Sequence, residues 1–161
     1  MNGNAVDIAM MKVARAPGQL YSLGLGSCIG VAIYDPAAKI GGLIHILLPT
    51  YQGFENGNHS RTKFADSGIT DLVEALVKAG ASKARMKAKM AGGASMFVTN
   101  GTSSVHEVGK RNIQSSRDTL KRLGIELVAH DTGGNKGRTV YFDVETGQMT
   151  IKTADRAVKV I

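Results

Sequence analysis

The sequence has no tryptophan, and its aromatic content is four tyrosines and four phenylalanines. Without basic blocks interleaved with aromatic rings it lacks the stacking platforms on which single-stranded nucleic acids are bound, so nucleic-acid binding is not expected. It holds one cysteine, Cys28, which excludes an internal disulfide, and four histidines with no second thiol make a poor zinc-site set. No cofactor and no metal are expected. No apolar run approaches the roughly 18–20 residues that span a bilayer, and residues 1–18 lack the apolar core of a secretory signal, so a cytoplasmic location is expected. No repeat or low-complexity tract is present.

The 161 residues suit one domain, because a chain of this length buries about two-thirds of its unfolded surface in a single core. Hydrophobic residues at 43% and charged residues at 20% are ordinary for a globular protein. The net charge of +7 favours acidic partners without choosing among them.

Short apolar pairs predict a first strand over 5–14, ended by Pro17 and Gly18, and a second over 20–23. The second runs into Gly24-Leu25-Gly26-Ser27, whose glycines allow a sharp turn directly before Cys28. A nearly all apolar, β-branched run over 28–34 and a second apolar run over 40–48 follow, separated by the turn residues 35–39. They read as a buried hairpin that carries Cys28 toward His45.

A loop over 49–58 comes next, then a helix capped by Ser60 whose Ile69, Leu72, Val73, Leu76 and Val77 form one stripe, closed by Gly80. Period-two alternation over 84–90 predicts a half-exposed strand. A loop over 92–104 leads to a second helix around 108–123, with Ile113, Leu120 and Leu123 inward and Gly124 at its end. A strand over 125–130, a turn over 131–135 and a hairpin of 139–144 with 149–153 complete the chain. Runs of strands with only two helices imply an α+β, layered α/β sandwich rather than a doubly wound parallel sheet.

The chemistry is concentrated at Cys28. A thiol becomes a nucleophile when a nearby imidazole or main-chain amides favour the thiolate. Gly26 and Ser27 would let a carbonyl approach the main chain, forming an oxyanion site with the Cys28 amide, and His45 is the only histidine inside an apolar strand pattern. A free cysteine in a strand is more often a small core residue, and a histidine among isoleucines more often a hydrogen-bonded core residue. From the residues alone both readings stand. The Gly-x-Gly turn lacks the third glycine and following helix of a dinucleotide site.

Several separated motifs resemble the CheD family of chemoreceptor glutamine deamidases. They are Ser22 to Cys28, Asp35-Pro36, Gly41 through His45 to Pro49, Ala91 to Phe97, Gly109 to Asn112, and Asp131 to Asn135. The resemblance covers nearly the whole chain. It implies mixed sheets and two main helices in a sandwich similar to cytotoxic necrotizing factor-type cysteine hydrolases. It implies Cys28 as nucleophile and His45 as base, with Ser22, where the family usually has threonine, orienting the imidazole.

Ser95, Thr132 and Asn135 become candidate substrate contacts, and Phe97 a candidate partner contact. The implied substrates are chemoreceptor cytoplasmic domains, with methylesterase action on glutamyl esters as a possible extension. An alternative is a regulatory binding module for the CheC phosphatase. A cysteine protease is disfavoured because the motifs resemble side-chain deamidases. Lys87, Lys89, Lys110, Arg111, Lys121 and Arg122 read as solvated faces that could steer the protein toward acidic receptor coiled coils, or toward the anionic membrane surface beside them, without insertion. His59, His106 and His130 read as surface or turn residues.

Overall fold

The structure, a computed structural model, describes residues 4–95 and 104–161, with only the backbone of residues 104–106. Its strands are β1 (Met11–Arg15), β2 (Gln19–Leu25), β3 (Ile29–Asp35), β4 (Ile40–Ile46), β5 (Lys87–Gly92), β6 (Glu126–Thr132), β7 (Arg138–Asp143), β8 (Met149–Thr153) and β9 (Val158–Val160). The helices are α1 (Ala65–Lys78) and α2 (Ser104–Arg122).

The strands form two sheets, one ordered β1-β4-β3-β5-β6 and the other β2-β7-β8-β9. Within them only β5 and β6 pair parallel, because α2 carries the chain back across the sheet between them. The expected layered sandwich of mixed sheets is what forms.

Period-two alternation in β3 and β4 builds both cores. Ile29, Val31, Ile33, Ile44 and Ile46 face α1 and α2, while Ala32, Tyr34 and Leu43 face the second sheet against Leu20, Val140 and Phe142. β3 and β4 are buried along their whole length, which explains why they read as continuous apolar runs rather than alternating ones. Of the predicted stripe on α1, Ile69, Leu72, Val73 and Leu76 are buried and Val77 is exposed. Among the described residues no helix is long and apolar enough to cross a membrane.

Several boundaries differ from expectation. The first strand begins at Met11, not Ala5, because residues 5–10 cross between the sheets instead. There Val6 N donates to Tyr21 O at 2.8 Å, Ala9 N donates to His45 O at 2.9 Å, and Ala9 adopts a left-handed φ of 63°. Ser60 caps no α-helix; it precedes a short 3-10 turn (Arg61–Lys63), and α1 starts at Ala65. Helix α2 starts at Ser104, earlier than its apolar stripe suggests. Asp131 and Thr132 belong to β6 rather than to a turn, since each pairs with β5. The short β9 went unpredicted.

Lys89 is not a solvated residue. It lies at the sheet–sheet layer, where Nζ donates to Gly147 O at 2.7 Å and Ile161 O at 2.9 Å, and burial lowers its pKa. The other five cations of that group are exposed.

β5 begins at Lys87 rather than Ala84, and Asp35 supplies the reason. Its buried carboxylate accepts from Ser82 N at 2.8 Å, from Ala37 N and Ala38 N, and from Arg85 Nε and Nη2 at 3.0 and 2.8 Å. Residues 82–85 are thereby drawn off the strand path into a 3-10 turn. The Arg85 guanidinium, followed by the three amides, holds the Asp35 carboxyl well below the usual carboxylate range against the opposing effect of burial.

A carboxyl with a lowered folded-state pKa stabilises the fold above its unfolded pKa near ~3.9, and that contribution is lost as pH falls through the folded value. Asp35→Ala leaves amides unpaired and is expected to cost about 3 kcal/mol, a fall in Tm of roughly 6–12 °C at pH 7. Thermal melts should show the gap narrowing below pH ~4. Coincident melts at pH 7 would mean that the network contributes nothing.

Candidate active site

β2 ends in a bulge between Ser22 and Leu25, where Gly24 takes a φ of 65° that a side chain would resist. The chain then turns through Gly26 and Ser27 and enters β3 directly after Cys28. In the β3–β4 hairpin Ile29 lies opposite Ile46 and Gly30 opposite His45. Cys28, two residues before Gly30, is therefore the diagonal neighbour of His45, at a Cα spacing that in antiparallel pairs is about 7–8 Å.

Both side chains lie on the face of the hairpin that points into the layer between the sheets. Cys28 belongs to the buried cluster between the sheets that also holds Leu25 and Ala91, and His45 lies two residues from Leu43, another member, on the same strand face. Exposure is 7% for Cys28 and 2% for His45, which places the pair just beneath the surface at the open end of the hairpin.

His45 Nδ1 lies 3.3 Å from Val6 O, an acceptor only, so Nδ1 carries the proton and Nε2 presents a lone pair. Nε2 is buried and has no hydrogen-bond partner among the described residues. Burial lowers the imidazole pKa, partly offset by the Val6 bond and by the Asp7 carboxylate. Burial also pushes the Cys28 thiol up, partly offset by its own backbone amide. Both shifts favour the neutral forms, and no hydrogen bond joins Cys28 Sγ to His45 Nε2.

Ser22 is placed differently from the sequence expectation. Its hydroxyl donates to Val6 O at 2.7 Å, so it reaches the imidazole only through the carbonyl that His45 also uses. Nothing in the sequence marked Val6, whose contribution is a main-chain oxygen. Ser22→Ala is expected to lower turnover about tenfold by loosening that carbonyl. Losing one buried hydrogen bond should lower Tm by about 2–4 °C, and Ser22→Thr should retain activity. An unchanged turnover in Ser22→Ala would make Ser22 a plain core residue.

The Gly26–Cys28 turn is held from one side by the segment after β5. Ala94 N donates to Gly26 O and Gly93 N to Cys28 O, both at 2.9 Å. Gly92 has no room for a side chain, since a Cβ there would sit 2.2 Å from Cys28 O. Ser95 N donates to Gly134 O and Gly133 N to Gly92 O, both at 2.9 Å, joining this segment to the turn after β6. Arg138 braces that turn through Asp131 and Gly133 O.

Ser95 is thereby tied to the segment that flanks the Cys28 turn, whereas the Thr132 side chain lies on the helix-facing side of β6, where its hydroxyl meets His130 Nδ1 at 3.0 Å, on the opposite sheet face from Cys28. Asn135 is exposed and lines a separate charged pocket of about 240 Å³ with Lys136, Asp155 and Lys159, a pocket that Cys28 does not line. Phe97 lies outside the described residues, as does the side chain of His106. His130 is exposed, while His59 is half-buried with its ring edge-on to Phe54. Among the described residues no group of three or more His, Cys, Asp or Glu could hold a metal ion.

Comparison with known proteins gives consistent matches. The family model described as CheD chemotactic sensory transduction matches residues 47–153. The chain is 50% identical over 157 residues to a Moorella thermoacetica protein named probable chemoreceptor glutamine deamidase CheD, covering 97% of this chain and 93% of that one. The protein of the same name from Caldanaerobacter subterraneus is 46% identical over 156 residues, covering 97% and 96%. A Methanosarcina acetivorans protein named probable chemoreceptor glutamine deamidase CheD 1 is 46% identical over 158 residues, covering 97% and 95%.

Proposed function

Because the chain belongs to the CheD chemotactic sensory transduction family, we propose that it hydrolyses glutamine side-chain amides of chemoreceptor cytoplasmic domains to glutamate and ammonia. The observation that carries this reading is the Cys28–His45 pair: one layer, diagonal positions, and an imidazole tautomer locked by Val6 so that its free nitrogen is basic.

In the reaction, Nε2 of His45 takes the thiol proton as Sγ of Cys28 adds to the carboxamide carbon. The oxyanion is stabilised by main-chain amides of the Gly26–Cys28 turn. Collapse expels ammonia with the proton held by His45 and leaves a thioester. Water, deprotonated by the same nitrogen, adds to the thioester, and departure of the Cys28 thiolate yields glutamate.

A glutamyl methyl ester could follow the same course, with methanol leaving in place of ammonia. The slight exposure of the pair favours a second reading as a binding module for the CheC phosphatase, whose partner would close over the site. Incubating the protein with a receptor cytoplasmic fragment and mapping amide-to-acid mass changes by peptide mass spectrometry decides between them. Conversion at discrete glutamines supports the enzyme; unchanged receptor peptides leave the binding module.

A further inference from the structure

The β3–β4 ladder stops at the pair Ile29–Ile46, one residue short of Cys28. Beyond it the strands part company. Leu47 N and Leu48 N both turn away to Lys63 O, at 2.9 and 3.0 Å, and Cys28 O is taken by Gly93 N. The gap opens where the nucleophile sits.

One side chain spans it. Asn112 Nδ2 donates to Ser27 O at 2.9 Å and to Leu47 O at 3.0 Å, so the two hydrogens of a single planar amide tie the residue before Cys28 to the second residue after His45. Asn112 is fully buried on α2. That helix is seated close by: a Cβ on Gly109 would lie 2.6 Å from Gly93 O and 2.8 Å from Ala94 O, and a Cβ on Gly93 would lie 2.5 Å from Ile113. The glycines let α2 approach until a side chain as short as asparagine reaches both strands.

We propose that Asn112 is a positioning residue that sets the separation of Cys28 and His45 by clamping the parted ends of β3 and β4. This rests on the Cys28–His45 reading above. The clamp replaces the ladder bond that the opening of the site removes, at a point where misplacement by about 1 Å can cost roughly 100-fold in rate.

Because the chain has a single cysteine, alkylation by iodoacetamide reads the pair without any receptor. In the wild type the alkylation rate should show an acid limb set by His45. Asn112→Asp keeps the shape but removes both donors; it should slow alkylation near neutrality and erase that limb, with receptor-glutamine turnover down about 100-fold and KM little changed. Asn112→Ser serves if the aspartate variant does not fold. Ser116→Ala, at a buried hydroxyl on the same helix without a bonding partner among the described residues, should match the wild type.

A wild-type profile in the Asn112 variants overturns the proposal. So does faster alkylation, the signature of a merely loosened fold that exposes the thiol. A wild type that shows the His45 limb yet leaves receptor glutamines unchanged overturns the deamidase reading and leaves the clamp standing.

Discussion

Cys28→Ser is expected to reduce receptor-glutamine deamidation by at least about 10⁴-fold while leaving the fold intact. The hydroxyl is close to the thiol in size, so the buried cluster around it persists and Tm should move by no more than a few degrees. What changes is acidity. An alcohol proton is held far more tightly than a thiol proton, and a neutral imidazole at this site is too weak a base to remove it at a useful rate. The chain has no other thiol to take over. Peptide mass spectrometry on a receptor fragment measures the loss, and circular dichroism checks the fold. A variant that still converts glutamine at a tenth of the wild-type rate would remove the thioester from the mechanism.

His45→Ala is expected to lower kcat by about 10²- to 10⁴-fold, the usual contribution of a general base, and to alter the pH dependence in a way that truncation alone would not. The sign follows from the direction of the two shifts. The imidazole lies below its ordinary 6.5 and the thiol above its ordinary 9.0, so between these values both groups are neutral and the base is ready. For the wild type, kcat/KM should rise with pH through a value under 6.5 and then stay level toward 9, because only protonation of His45 disables the pair. In His45→Ala the acid limb should vanish, leaving activity that climbs with the thiolate fraction beyond pH ~9. A wild-type optimum confined to a narrow bell near neutrality would mean that the resting pair is thiolate and imidazolium, contrary to the burial of both groups.

The hairpin that carries Cys28 and His45 is legible because its determinants are local. Residues 28–34 and 40–48 are apolar and β-branched, and the turn between them is made by Asp35 accepting from Ala37 N and Ala38 N, two and three residues away. Given the turn, the register follows, and period-two alternation puts Cys28 and His45 on one face. The helix stripe of α1 was readable for the same reason.

The misreadings share a different cause. Lys89 alternates like a solvated strand residue, but its ammonium is drawn to carbonyls 58 and 72 positions away. The start of β5 was displaced by a carboxylate 50 positions from Arg85. The resemblance points Ser22 at the imidazole, whereas both donate to a main-chain oxygen that composition does not reveal. Asn112 stood in a motif noted for its resemblance alone, and its partners lie 85 and 65 positions distant.

By itself, then, the sequence determined the layered class and the central hairpin that puts Cys28 and His45 on one face, since hydrophobic period and turn chemistry act over a few residues; the catalytic reading of that pair came from the family resemblance. Only the tertiary structure decided the imidazole tautomer, the burial that favours neutral forms of both groups, and the clamp across the parted strands. Those depend on burial and on hydrogen bonds between segments far apart in the chain, which form only after the sheets and α2 have stacked.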